Sequence, residues 1–544
     1  MSKAKFLYSS NSKDWMVGVN AIIDAVTATL GPYGNNIGIE RPMDTPFFTK
    51  DGAMVAKEFY LDEPFANYGA RVAGNAAQKT AVDAGDGTTT TMAILGGITK
   101  SFELSVNRYG VDRTRLYYRV SDILQKSLDL LQKYKRPLDN EEELRHVVSI
   151  SLNGDDTLTD LVVDAMSRDK LVVLEEGYGN TSYVEEVQGY YFDRGTYPIF
   201  YNNREQSELS VKDSYIFAFK GPLSNPNCIE PMLRTASITG KPIILLGDAK
   251  GILVKTLLQN AGNLASAIIP SPYFSWKNDE FYADIEALTG AKCVDFTQID
   301  MDDSNTQQFD ISYAGKISSL VSKNNTTIIL PPDGDEELNA RLEARIAYYE
   351  GKMASAESTC DEDFYAKLMA YLSGGITRIK VAGQTEIEQR DNKLRVEDAV
   401  SAARMASTTG LLPGCGVALA KIGYAIECMD KEFLGEEIIA LLSDDVGKAA
   451  KDVVISALEN PFKLLVSHTG EGNKINQRLS DVYKEDFWTT YDYKYVPPRM
   501  GDGLKLGIID PVGVIEASVK NALSVGQIVK ISGVHISKFN ESEY

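Results

Sequence analysis

Apolar positions recur at helical spacing through most of the chain's first third. Between Trp15 and Leu30, Met16, Val19, Ile22, Ile23, Val26 and Leu30 fall on one stripe, which predicts an amphipathic or buried helix that Gly31-Pro32 ends. Short extended runs come next, then a turn at Lys50-Asp51-Gly52 and a helical restart. Helical spacing returns from Phe65 to Ala84 and again from Thr88 past Leu104, so the Gly85–Thr91 stretch joins two helices. A further helical stretch runs from Asp112 to Met166, with a polar break at Ser151 to Asp156.

The pattern changes at Leu171. Strand-like runs (LVVLEE, TSYVEEV) lead through Gly189 into YYFDRGTYPIFY. Runs such as SYIFAF, PIILLG, SAIIP and TTIIL then alternate with helices near Ile229–Ser237, Ile252–Gln259 and Asp279–Leu288. Such alternation predicts an α/β domain with a largely parallel sheet. Ser358 to Leu372 reads as helix ending at Gly374-Gly375, and Val396 to Ile536 is again mainly helical. The economical organisation is one α/β domain inserted into a helical domain built from both chain ends. Gly189 and Gly374-Gly375 lie where the two crossings meet; they are hinges or ordinary loop glycines.

The sequence Ala84-Gly85-Asp86-Gly87-Thr88-Thr89-Thr90-Thr91 carries the clearest chemistry. Glycines let a backbone approach a ligand closely, helix-start N–H groups attract phosphate, and Asp86 offers Mg²⁺ a hard oxygen. The same residue types also serve as plain helix caps.

Composition narrows the chemistry further. A 544-residue chain with 44% hydrophobic residues is too large for one core, so two to four domains are expected. The formal charge of −20 argues against nucleic acid or an anionic membrane as main partner. No apolar run reaches the roughly 18 residues of a membrane span, and the first residues lack a signal-peptide core. A cytoplasmic location is therefore expected. Cys228, Cys293, Cys360, Cys415 and Cys428 are widely spaced, which fits neither a disulfide framework nor a zinc site. With only His146, His468 and His535 present, catalysis is expected to rest on carboxylates.

Several segments converge on one family. TLGPYGNN (from Thr29), TKDG (from Thr49), AGDGTTTT, RVEDAVSAAR (from Arg395), GCGVALA (from Gly414) and GIIDP (from Gly507) resemble, in order and spacing, the signature segments of group I chaperonins of the GroEL type. FDRG, ALTGAKC and YLSGGITRIKVAGQTEIE resemble further family segments, so the likeness spans nearly the whole chain.

The resemblance implies a multi-domain α and α/β chaperonin fold. Its parts would be a helical equatorial ATP-binding domain (1–132 and 409–544), a small intermediate hinge domain (133–188 and 375–408) and an inserted α/β apical domain (189–374). It implies an ATPase that folds non-native client proteins inside a homo-oligomeric ring of seven subunits, single or double, with a possible co-chaperonin lid. Thr29, Leu30, Gly31 and Pro32 would line the nucleotide pocket. Asp86 would hold Mg²⁺, and Gly87, Thr88, Thr89 and Thr90 would bind phosphate. Thr29, Lys50 and Thr89 would hold K⁺, and Asp51 and Asp398 would act on the attacking water. Gly414, Cys415, Gly416 and Asp510 would hold ribose and base. Because Asp398 lies beyond the Gly374-Gly375 crossing, domain closure is expected to bring it to the nucleotide. Clients would meet Tyr197, Ile199, Phe200, Leu233, Val254 and Leu258, unless these simply pack the domain core.

The chain also departs from the family. Cys415 interrupts a usual triple glycine, altering affinity or adding an oxidisable thiol. The segment between His468 and Arg499 is longer than its counterparts, with Tyr491-Asp492 nearest to the adenine-contacting pair and an aromatic available for stacking. Glu230 and Gln259 make the client rim more polar, and SGVHISKFNESEY replaces the usual Gly-Gly-Met tail. This divergence fits a virus-encoded or otherwise specialised member working in a host cytoplasm. The competing reading is a nucleotide-independent structural ring or passive holdase. Retention of Asp51, Asp86 and Asp398 argues against it, and no Gly-Lys is followed by Ser or Thr, which disfavours a P-loop enzyme.

Overall fold

The computed structural model describes residues 5–9, 12–40, 47–168, 171–177, 181–187, 189–202, 208–260, 265–273, 275–297, 308–323, 326–332, 337–354, 364–365, 368–369, 371–372, 376–532 and 535–539. Two compact units emerge. The first comprises 1–167, 174–183 and 379–544, and the second 168–173 and 184–378. Gly374, Gly375, Cys360 and most of the helix expected over Ser358–Leu372 lie outside the described residues.

The first unit is a helical body. The Trp15 stripe forms a helix over Ser12–Thr27, burying Trp15, Val19, Ile22, Ile23 and Val26. It packs on the Pro64–Ala84 helix, whose buried positions are almost all Ala or Gly, so the two helices approach closely. Around them lie the helices Thr88–Tyr109, Arg113–Tyr134, Asp445–His468 and Val512–Ile531, all feeding one apolar core. Lys5–Ser9 pairs antiparallel with His535–Phe539, joining the two chain ends.

The second unit is built on a seven-stranded sheet. The Leu209–Leu223 strand pairs in parallel with Ile243–Ala249 and Val294–Asp295, and Ile243–Ala249 pairs in parallel with Ser266–Ile269. Its other neighbour, Gly315–Lys323, runs antiparallel to it and to Thr326–Leu330, which is antiparallel to Tyr190–Phe192. The sheet is therefore mixed rather than largely parallel. Helices Glu230–Thr239 and Gly251–Gln259 supply the crossovers that parallel pairing needs, whereas only two residues separate Lys323 from Thr326 and force reversal. Helices Trp276–Thr289 and Leu338–Ala354 complete the core with Phe217, Phe219, Phe281 and Tyr190. Between those two helices Asp284 is fully buried and accepts hydrogen bonds from Tyr190 Oη at 3.0 Å, Tyr349 Oη at 2.7 Å and Arg345 Nε at 2.9 Å.

Candidate nucleotide site

Segments far apart in the chain meet in the helical unit around one cavity of about 540 Å³. Its first wall is the turn after the Ser12–Thr27 helix. There Gly31 takes φ +79°, Thr29 Oγ1 donates to Val26 O at 2.8 Å, and Leu30 O accepts from His468 Nδ1 at 3.0 Å. A carbonyl only accepts, so Nδ1 carries the proton.

The second wall is Asp86 together with the first turn of the Thr88–Tyr109 helix. Gly85 (φ +71°) closes the Pro64–Ala84 helix and Gly87 (φ +85°) opens the Thr88–Tyr109 helix, so two left-handed glycines turn the chain around a single carboxylate. A side chain at Gly87 would meet Val514 and Ser518, and one at Gly85 would meet Ser401. No side chain caps the first turn of the Thr88 helix, which leaves its N–H groups and dipole available to an anion at the cavity wall. Ser151 Oγ donates to Asp86 Oδ2 at 3.2 Å, and the Thr29 and Thr89 hydroxyls stand 3.4 Å apart.

Asp51 caps the Gly52–Glu58 helix, accepting from Ala53 N at 2.8 Å and Met54 N at 3.2 Å. Thr88 and Thr89 crowd against Gly52, whose missing side chain gives their hydroxyls room. Asp398 projects from the Glu386–Thr409 helix into the same cavity. That helix packs within the helical unit through Val396, Ala399, Ala402, Ala403 and Ala406. In this structure Asp398 thus already shares the cavity with Asp51 and Asp86, so the expected closure is not needed to bring it there.

The electrostatics of this end are one-sided. Burial holds the Asp398 carboxyl well above the usual carboxylate range, and the charges acting on it, Asp51, Asp86 and Glu397, all push the same way. Burial also raises Asp51 against its two N–H bonds, and Asp86 against its bonds from Gly87 and Ser151. Asp510 is pushed up to about 7 by burial and by Asp86. The cavity wall carries six carboxylates (Asp51, Asp86, Asp391, Asp398, Asp492 and Asp510) against three cations (Lys50, Arg395 and Lys494). Among the described residues, no three His, Cys, Asp or Glu side chains are placed to hold a metal by themselves. An ion here would have to share its shell with a ligand's oxygens, as Mg²⁺ does with phosphate.

The far wall comes from the divergent segment. Thr489–Asp492 and Arg499–Asp502 form a hairpin, tied to the Gly414-Cys415-Gly416 turn by Thr490 Oγ1 donating to Gly414 O at 3.0 Å. Asp510, paired opposite Leu412, lies on the same turn's other side. Tyr491 and Tyr493 pack into an apolar cluster with Val417, Phe462 and Val466. The segment therefore supplies part of the cavity wall through Tyr491, Asp492, Tyr493 and Lys494. Burial, with Asp510 and Asp492 adding negative charge, pushes the Cys415 thiol up, which disfavours the reactive thiolate rather than promoting oxidation.

Every nucleotide, metal and catalytic residue expected from sequence lines this cavity apart from Gly414, which shapes the turn beside it. Sequence reasoning missed Ser151, Asn153, Gly154, Arg395, Tyr493, Lys494 and Ser518. The polar break at Ser151–Asp156 was the one signal pointing to the first three.

The residues assigned to clients lie in the α/β unit and divide by exposure. Tyr197 and Ile199 are 48% and 65% exposed, Leu233, Val254 and Leu258 are half-buried against the core, and Phe200 is a core residue. Phe200 thus follows the core-packing alternative. Ile238 and Ile252, on the same two helices and unforeseen, are more exposed than any of the six. Gly189 is buried just ahead of the Tyr190–Phe192 strand.

Residues 22–237 match the model of the TCP-1/cpn60 chaperonin family. Among solved structures, the chain is similar to the chaperonin gp146 of bacteriophage EL 2 (Pseudomonas aeruginosa), solved in the presence of ATP-BeFx in two crystal forms. Form II has a TM-score of 0.62 and form I 0.58; in both, identity is 19% over 98% of this chain and 99% of the other. The chain thus shares the chaperonin fold along almost its whole length, and residues 22–237 carry the sequence pattern of the TCP-1/cpn60 chaperonin family.

Proposed function

We propose that this chain is an ATP-hydrolysing chaperonin subunit that assembles into a ring, with seven members as the family pattern, and folds non-native proteins in the enclosed chamber. The observation that carries the reading is the convergence of Asp51, Asp86 and Asp398 on one cavity beside an uncapped helix N-terminus. A triphosphate adds negative charge to a wall already rich in carboxylates, so cations must accompany it. Asp86 with the neighbouring hydroxyls suits Mg²⁺ shared with phosphate, and the neutral oxygens of Thr29, Lys50 and Thr89 suit K⁺. The bound metal would offset charge on the phosphate. Asp398, flanked by like charges and so a better proton acceptor than an ordinary carboxylate, takes the proton from the attacking water, and Asp51 orients that water. Residues 189–374 serve as the apical domain, and Tyr197, Ile199, Ile238 and Ile252 offer clients an apolar surface. The gp146 chaperonin was solved in the presence of ATP-BeFx, which supports the nucleotide assignment by analogy of fold.

The test is phosphate release by wild type and Asp398→Ala, followed by a refolding assay with and without ATP and a co-chaperonin. Loss of hydrolysis in the variant and ATP-dependent client recovery are expected. Equal rates would remove Asp398 from catalysis, and recovery indifferent to ATP would favour the passive holdase.

A further inference from the structure

Among the described residues the cavity wall carries one guanidinium, that of Arg395, and the proposed chemistry leaves it without a task. Arg395 stands on the Glu386–Thr409 helix between Asp391 and Asp398. Spacings of four and three residues put these three side chains on one helix face, and all three line the cavity.

The head of Arg395 is held from three sides but not saturated. Nη2 donates to Asn392 Oδ1 at 2.6 Å, and the buried Asn392 amide is itself fixed by donating to Ala382 O at 3.1 Å. Nη1 reaches Leu152 O only at 3.5 Å. Nε lies 3.0 Å from Asp391 Oδ2, yet its N–H is not aligned on that oxygen and is buried without an acceptor. Two of the five N–H groups therefore have acceptors among the described residues, one of them at the limit of hydrogen-bonding distance.

The same contacts locate the guanidinium along the cavity. Ser151 donates to Asp86 Oδ2 at 3.2 Å, and the next residue offers Leu152 O to Arg395, so two consecutive residues span from Asp86 to the guanidinium. On the other side, less than one helical turn separates Arg395 from Asp398. A terminal phosphate beside Asp86, with its attacking water at Asp398, lies where Arg395 borders the cavity.

The geometry points to Arg395 as a catalytic residue for the proposed hydrolysis, its unused N–H groups donating to oxygens of the terminal phosphoryl group as that group passes to water. This rests on the reading that ATP is cleaved in the cavity. The water oxygen bonds to the terminal phosphorus, the bond from that phosphorus to the bridging oxygen breaks, the diphosphate leaves with the electron pair, and the water's proton goes to Asp398. A planar fork can serve two phosphoryl oxygens at once, and its positive charge opposes the six carboxylates of the wall.

Phosphate release and calorimetric binding of Mg·ADP, with and without beryllium fluoride, test this in the intact protein. Arg395→Gln is expected to lower kcat by about a hundredfold or more while ADP affinity stays within about threefold. Beryllium fluoride, which stands in for the terminal phosphoryl group, should tighten nucleotide binding in wild type and far less in the variant. Arg395→Lys keeps the charge and loses the fork, so its kcat should fall between the two; it carries the same test should Arg395→Gln fail to fold. An unchanged kcat in Arg395→Gln would overturn the assignment. So would ADP affinity that falls in step with kcat, because a purely structural tie requires that. A wild type that binds no ADP, or releases no phosphate, would instead sink the hydrolytic reading itself.

Discussion

Two buried acids, one in each unit, lie in opposite surroundings. Asp284 in the α/β unit is enclosed by three donors, one of them cationic, and Arg345 is itself held by Glu280 at 2.9 Å and stacked on the rings of Tyr348 and Tyr349. Burial still pushes its carboxyl up to about 6, but every neighbour that acts on it works to keep it charged. Among the described residues, Asp398 in the helical unit has no such partners, and the charges that bear on it, Asp51, Asp86 and Glu397, are all negative. The first arrangement is complete within the chain and serves structure. The second, on the proposed reading, is completed by a ligand that brings its own cations.

Substitution to the uncharged amide should separate the two. Asp398→Asn is expected to lower phosphate release by about a hundredfold or more. The same change should raise the melting temperature of the nucleotide-free protein, because it relieves like-charge repulsion. A lowered melting temperature would mean that Asp398 supports the fold and would erase the contrast. Arg345→Met strands Asp284 without its cation and should destabilise the α/β unit by about 3–5 kcal/mol, read as faster hydrogen exchange in the 276–289 and 338–354 helices with phosphate release little changed.

Much of this contrast was legible in the sequence, though only on one side. Asp51 and Asp86 announced themselves because glycines flank them, and glycine is required wherever the backbone turns left-handed or a hydroxyl presses close. Asp398 needed the family pattern, since nothing local distinguishes it from a solvated helix acid. Arg395, Ser151 and Lys494 reach the cavity only through tertiary packing, so no spacing rule reports them. In the α/β unit the helices near Ile229, Ile252 and Asp279 and the strands around Ile243, Ser266 and Thr326 were placed within a few residues, whereas the Gly315–Lys323 strand and the Leu338–Ala354 helix were not read, and the pairing was not either, because periodicity fixes which face a strand buries and not the direction of its neighbour. The Asp284 network left no sequence trace, as its members lie 94 and 61 residues apart.

Smaller effects sharpen the comparison. Ile238→Ser with Ile252→Ser removes exposed apolar area alone and should weaken capture of an unfolded client several-fold, about 1–2 kcal/mol by the area lost, measured by suppression of client aggregation, while phosphate release stays unchanged. For Asp284, a carboxyl held at about 6 against 3.8 unperturbed means that the folded protein keeps its proton longer. Its contribution to stability therefore declines as pH rises from about 4 to 6 and levels above; Asp284→Asn should flatten that part of a melting-temperature profile. The smallest change is expected at Lys530, a buried cation 3.7 Å from a Glu103 already gripped by Arg113. Burial lowers its pKa to about 8. Lys530→Met should be neutral or stabilising by about 1 kcal/mol.

The antiparallel pairing of Lys5–Ser9 with His535–Phe539 has a bearing on how the molecule is made. A ribosome delivers the α/β unit's residues, 184–378, long before the last strand, so that unit has its whole sequence available while the helical unit is still half written. The cavity cannot close until Asp510 and Ser518 have emerged, and the first strand finds its partner later still. On the proposed reading, affinity for nucleotide should therefore arise only once Ser518 has emerged, and ribosome-stalled chains ending before and after the Val512–Ile531 helix would show when it does. The two halves of the helical unit must therefore stay apart while the whole α/β unit is made between them.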